Sequence, residues 1–308
     1  MGQTKPSLFQ RLLRRLKTEA VDACTYFLLA LPGLLLPWAL AYRIYFRLAA
    51  LPWVFAYPAR VAAENMAQFG ITSDLPELEA KRRFRLVLMI DIVDMWLSIV
   101  RGRHALSHLV RQNRNWPEER RLMVIGSHWG PGMLGIRSMR AQGLLPHFVI
   151  RPVPSELRQT RFLFWLYRRV RTWHLTQLLP GKRFNTGTSP RHLIQAMEKG
   201  AAILMLADTP AENERETIPV QLYGKQALIH RGFTKTLARR KIPYVTFSMG
   251  LNWQDGRREI DVRPMRVESD ASAIQQDLAS FINETLWRDP GQWQMWPFTK
   301  QFLRFVEA

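Results

Sequence analysis

Leu122-Met123-Val124-Ile125-Gly126-Ser127-His128-Trp129-Gly130-Pro131-Gly132-Met133 is the stretch on which the fold turns. A short apolar run ends in small residues, then a histidine, then a turn made of two glycines and a proline. Residues Met133 to Ala141 then read as a helix. The order predicts a buried strand with His128 at its carboxyl end, beside a helix N-terminus. Open α/β sheets hold their ligands at that position. The turn also offers backbone N–H groups, from Gly130 to Met133, as donors to an oxyanion.

Downstream, strands are expected at Pro146–Arg151, Ala202–Ala207, Tyr244–Met249 and Arg257–Arg263, starting from Leu122–Ile125. Between and after them come an Arg-studded aromatic helix at Glu156–Thr172, a helix from Ser189-Pro190 to Gly200, and helices at Arg231–Arg240 and Ala271–Leu286. Upstream, Arg60–Phe69 reads as a helix. A longer one runs from about Leu75 to Val100 with Ser73-Asp74 as its cap, and Arg111–Arg121 reads as a loop. Strands alternating with helices at this spacing predict an α/β fold with a mostly parallel central sheet covered on both faces.

The N-terminal region differs in character. No charged residue occurs from Ala23 to Tyr42, between Asp22 and Arg43. That is about the length a membrane-spanning helix needs. Lys5, Arg11, Arg14, Arg15 and Lys17 precede it, while aromatics such as Trp38, Tyr45 and Trp53 follow among arginines, an interfacial composition. Pro32, Gly33 and Pro37 interrupt the run, favouring a shallow, broken insertion over a straight span. The expected division is a basic, hydrophobic, membrane-associated arm over 1–58 and a catalytic domain over 59–308.

The 308 residues carry 44 Lys+Arg against 25 Asp+Glu, a formal charge of +19. Such a charge selects anionic partners more than it selects a fold. The basic residues lie among Trp, Phe and Leu rather than in a polar recognition helix, so anionic membrane lipid is expected and nucleic acid is not. The lone Cys24 excludes an internal disulfide framework. His104 and His108 stand at i and i+4 with no further ligands in sequence near them, so no metal site is expected, nor any cofactor. No nucleophile elbow or Walker loop occurs.

Four blocks are expected at strand ends facing one crevice: His128 with its turn, Phe148–Arg151, Leu206-Ala207-Asp208-Thr209-Pro210, and Lys241–Tyr244. A base, a cation and a carboxylate around one cleft suit acyl transfer to a hydroxyl. His128 is the candidate general base. Arg151, Gly130 and Gly132 are candidate substrate-binding residues, the arginine through its planar fork on a phosphate. Asp208 is the candidate carboxylate.

The chain resembles the bacterial lipid A biosynthesis acyltransferases, within the wider glycerol-phosphate acyltransferase-like superfamily. The basic start and apolar arm carry the resemblance, with Arg60–Met66, Phe148–Arg151, Ile218–Gly224 and the tail Asp289-Pro290-Gly291-Gln292-Trp293-Gln294-Met295-Trp296. The resemblance implies an O-acyltransferase that takes its acyl chain from acyl carrier protein. The chain would go to a hydroxyl of a lipid or glycolipid acceptor at the cytoplasmic face of the bacterial inner membrane, with His128 as base.

Two departures stand out. The family's first motif is His, four residues, then an acid; here Met133 fills the acid's place. The tail continues as Pro297-Phe298-Thr299-Lys300 rather than His-Arg-Arg. Losing the acid partner of a histidine costs on the order of 10⁴ in rate in serine-protease triads. Three outcomes stay open at this level: another carboxylate substitutes, the histidine works without one, or the fold is a catalytically degenerate lipid-binding or scaffold protein. Asp208 is the first substitute. Asp91 and Asp94, on one face of an otherwise apolar helix, are the alternative acids, although partnership with arginines is the plainer reading of both.

Overall fold

The computed structural model describes residues 7–71, 75–150, 152–185, 190–208, 217–222, 225–230, 234–299 and 304–305. The arm begins with α1 (Leu8–Tyr26), capped by Ser7, followed by a 3₁₀ turn, α2 (Leu31–Leu35) and α3 (Trp38–Ala50). Pro37 stands at the N-cap of α3, so the chain breaks where the prolines predict. The charge-free run is divided differently from expectation. Residues Leu12–Leu35 are long and apolar enough to cross a membrane, and only 17% of that window is buried. Ala41, Tyr42, Tyr45 and Ala49 instead sink into the core. Phe9, Leu12, Leu13, Leu16, Leu28 and Leu35 remain exposed, which fits a membrane-associated arm.

Next come α4 (Ala56–Gln68) and the long α5 (Glu77–Val100). The helix α5 starts two residues later than expected, at Glu77 with Pro76 as its N-cap, and Ser73-Asp74 lies outside the described residues. It is apolar on nearly every side because both cores claim it, Phe84 on one and Met89 and Val93 on the other. Between it and the expected loop stand α6 (Gly102–Leu109), which was not foreseen, and a short strand, β1 (Val110–Gln112), which runs into the start of that loop.

The α/β part then runs β2 (Met123–Gly126), α7 (Met133–Ala141), β3 (His147–Ile150), α8 (Leu157–Thr160), α9 (Phe162–Leu178), β4 (Arg183–Asn185), α10 (Pro190–Glu198) and β5 (Ile203–Leu206). The aromatic helix is thus two helices, broken at Arg161. Ser189, its expected successor's cap, lies outside the described residues. A hairpin of β6 (Thr217–Leu222) and β7 (Lys225–His230) was not foreseen. After it come α11 (Thr234–Arg240), β8 (Tyr244–Leu251), β9 (Arg258–Val262), α12 (Ala271–Arg288) and β10 (Arg304–Phe305).

Among the described residues the main sheet has seven strands in the order β1-β9-β8-β2-β5-β3-β4, parallel except for β8 with β9. The strands β10, β7 and β6 form a second, antiparallel sheet. Side-chain alternation splits the core in two: Val124 and Leu204 face α5, α7 and the arm, while Met123, Ile125 and Ile203 face α10, α11 and α12.

Two acidic residues tie the arm to α9. The Glu19 carboxylate accepts from the backbone N–H groups of Phe162 (2.6 Å) and Leu163 (2.8 Å), at the helix N-terminus where an anion is favoured. Buried Asp22 accepts from Arg161 Nε at 3.0 Å.

Candidate active site

The site follows from sheet register. β2 and β5 are parallel neighbours with Gly126 opposite Leu206, and the ladder continues through Ala207 N–H to Gly126 O at 2.8 Å. Two residues on from each of these partners stand His128 and Asp208, at adjacent strand ends. Their side chains meet: His128 Nδ1 lies 2.9 Å from Asp208 Oδ1. The other carboxylate oxygen, Oδ2, accepts from the His128 backbone N–H at 2.8 Å and from the Trp293 indole N–H at 2.8 Å. Asp208 is buried, and the imidazole retains about a quarter of its exposure (28%).

Electrostatics follow from this packing. Burial by itself pushes the Asp208 carboxyl up. His128 through charge and hydrogen bond, Trp293, and the His128 backbone N–H outweigh it and hold the group below the usual carboxylate range. Burial likewise pulls the imidazole down, but the charge and hydrogen bond of Asp208, helped by the Asp91 charge, raise it above the ordinary histidine value. With an ionised acceptor at Nδ1, that nitrogen carries the proton and the lone pair sits on Nε2.

The C-terminal tail builds the other wall. Gly130 N–H donates to Gln292 O (2.9 Å), Gln294 N–H to His128 O (2.9 Å), and Gln294 Nε2 to Gly130 O (2.8 Å). Trp129 Nε1 donates to Asp289 O at 2.9 Å. Gly130 has φ +69°, and a Cβ there would come within 1.9 Å of Met249 O, so only glycine fits. A Cβ at Gly132 would meet nothing within 4 Å, leaving space above the start of α7.

Asp91 enters from α5. One oxygen accepts from Gly132 N–H at 3.2 Å, and Arg171 on α9 grips the carboxylate with NH1 at 2.7 Å and NH2 at 3.3 Å. Arg171 also donates to the Tyr167 hydroxyl at 3.2 Å. The expected oxyanion donors are therefore partly engaged: Gly130 N–H goes to Gln292 and Gly132 N–H to Asp91, while Pro131 has none. The amides of Met133 and Leu134, in the first turn of α7, have no carbonyl within the helix to accept them.

Several expectations need correction. Asp94 is not an acid for the histidine. It is fully buried, gripped through both oxygens by Arg258, whose guanidinium also lies 4.2 Å from the Trp38 ring centre. Lys241–Tyr244 does not face the crevice. Tyr244 pairs with Met123 at the amino end of the parallel strands, the edge opposite His128. Arg151 lies outside the described residues. Trp293 and Arg171 were not singled out from sequence as parts of the site. The tryptophan's place in the tail motif was the one signal that could have found it.

Residues 155–304 match the family described as bacterial lipid A biosynthesis acyltransferase. Over this stretch the chain is similar to that acyltransferase family. The matched stretch of the acyltransferase includes Asp208, Arg171 and Trp293, and begins after His128. Among solved structures, it is similar to the 1-acyl-sn-glycerophosphate (LPA) acyltransferase PlsC from Thermotoga maritima. Identity is 13% and the TM-score 0.38, over 82% of this chain and 97% of that one. No curated protein matches the acyltransferase by sequence.

Proposed function

We propose that this acyltransferase moves a fatty acyl group from acyl carrier protein to a hydroxyl of a lipid or glycolipid acceptor, at the cytoplasmic face of the inner membrane. The observation that carries the reading is the His128–Asp208 pair, held from its far side by Trp293. Nε2 of His128 takes the acceptor's hydroxyl proton as the oxygen attacks the thioester carbonyl. A C–O bond forms, the tetrahedral oxyanion collapses, and the C–S bond breaks. The proton passes from the imidazolium to the departing thiolate. The first amides of α7, which have no acceptor within the helix, are offered to the developing negative charge. The charge of +19 supports an acidic donor protein and an anionic membrane surface alike.

Mass spectrometry of membrane lipids, from cells producing the wild type or His128→Ala, tests this. The wild type is expected to add one acyl chain to a lipid species, and the variant, folded and membrane-bound, to add none. An acylated species still formed by His128→Ala would remove the mechanism. An unchanged lipid profile in both strains, with lipid still bound, would favour a lipid-binding protein on the same fold. Protease accessibility of residues after Tyr57 from the periplasmic side would refute the cytoplasmic placement.

A further inference from the structure

A second concave site opens at the same end of the main sheet, displaced toward the arm. It has a volume of ≈ 490 Å³ and lies between α3, α6 and the 252–257 turn that joins β8 to β9. Its apolar side is Trp38 and Tyr42. Its polar rim is Arg43, Arg101, Arg257, His104 and His108. The two histidine rings, whose spacing in sequence suggested no metal set, meet on this wall at a tilt of 50° with centres 4.2 Å apart.

The walls are fixed. Trp38 Nε1 donates to Asp255 O at 3.0 Å, and the Tyr42 hydroxyl donates to Trp253 O at 2.8 Å. Gly256, at φ +70°, lets the turn lie flat on the Tyr42 ring, where a Cβ would come within 2.3 Å. Arg101 is held by a bond to Leu34 O at 2.7 Å.

The charge balance is one-sided. Asp255 is the only acid in the lining, and Arg111 already pairs with it at 3.1 Å from outside the cavity, with Arg257 at 3.8 Å. Arg43 has no ion pair among the described residues. A preformed cavity with an aromatic floor and a rim of guanidinium and imidazole groups matches a phosphate ester carried on an apolar body.

We propose that this cavity binds a phosphate-bearing ligand, separately from the His128 crevice. The rim takes the phosphate, and Trp38 with Tyr42 takes whatever apolar portion is attached. The same chemistry is offered by a phospholipid headgroup and by free phosphate, and the two are separable.

The test uses the full chain in neutral detergent. Native mass spectrometry with short-chain phosphatidic acid, and titration calorimetry with inorganic phosphate, are run on the wild type, Arg43→Gln/Arg257→Gln and Arg43→Lys/Arg257→Lys. Arg114→Gln/Arg120→Gln, exposed and away from the cavity, controls for net charge. The Gln pair is expected to weaken phosphatidic acid binding by at least about tenfold, with the Lys pair and the charge control within about threefold of wild type. Arg43 and Arg257 are exposed, so an unchanged melting temperature checks that all variants fold. Binding of inorganic phosphate with the same variant dependence would assign free phosphate. Lipid binding without it would assign the headgroup. Equal losses in the Gln pair and the charge control would overturn the site, as would an unaffected Gln pair or no complex with either probe.

Discussion

Asp208→Asn separates a catalytic pair from a packing contact, because the geometry dictates which way the amide must sit. Two N–H donors, from Trp293 and from the His128 backbone, converge on one oxygen. An asparagine has to keep its carbonyl there, which turns its NH₂ toward His128 Nδ1. That nitrogen then becomes an acceptor, and the ring proton moves to Nε2, the atom that has to act as base. A wrong tautomer of this kind costs about 10⁴ in kcat, roughly 5.5 kcal/mol in the barrier. The pH profile carries a second signature. In the wild type the base form of His128 exists only above its raised pKa, so the acid limb lies above the ordinary histidine value. Without the Asp208 charge that limb moves to lower pH, whatever activity remains. The assay is single-turnover transfer to membrane lipid, read by mass spectrometry across pH. A kcat within about tenfold of wild type, or an acid limb that stays in place, would refute the pairing as catalytic.

Trp293→Phe deletes one of the bonds that fix Asp208; kcat is expected to fall about tenfold with KM unchanged, and a loss confined to KM would contradict the positioning role. Asp94→Asn leaves the fully buried Arg258 without its counter-ion, which costs about 3–5 kcal/mol and should lower the melting temperature by roughly 10 °C. Gly130→Ala, blocked by Met249 O, is expected to destabilise by more than about 2 kcal/mol, whereas Gly132→Ala should be near neutral by calorimetry.

Much of the frame was legible because it is written in local periodicity. The strand before His128 and the helix from Met133 to Ala141 were readable from apolar runs and the glycine turn. The site was legible only in its parts. Sequence placed His128 and Asp208 at strand ends, but which strands neighbour each other depends on crossovers that local pattern does not encode. Asp91 and Asp94 looked equivalent on one face of α5; they diverge because Arg171 and Arg258 arrive from α9 and β9, far along the chain. Lys241–Tyr244 precedes its strand, so a β8 parallel to β2 puts it at the edge opposite His128; only an antiparallel β8 would have brought it to the crevice.

Register also explains how the acid can leave its usual place. The family's motif acid stands five residues after the histidine, in the same segment. Here the carboxylate comes sideways, from the next strand, with Gly126 opposite Leu206 setting the separation at one inter-strand spacing, about 4.8 Å. Met133 then fills space instead of holding the ring. Only 1% exposed, it packs into the core shared with α5 and the arm. The α7 N-terminus beside it is already complemented by Asp91, which accepts from Gly132 N–H. A carboxylate at position 133 would stand in an apolar core close to that second negative charge, an expensive arrangement. Position 133 thus belongs to the core, and the carboxylate that meets His128 comes from the neighbouring strand.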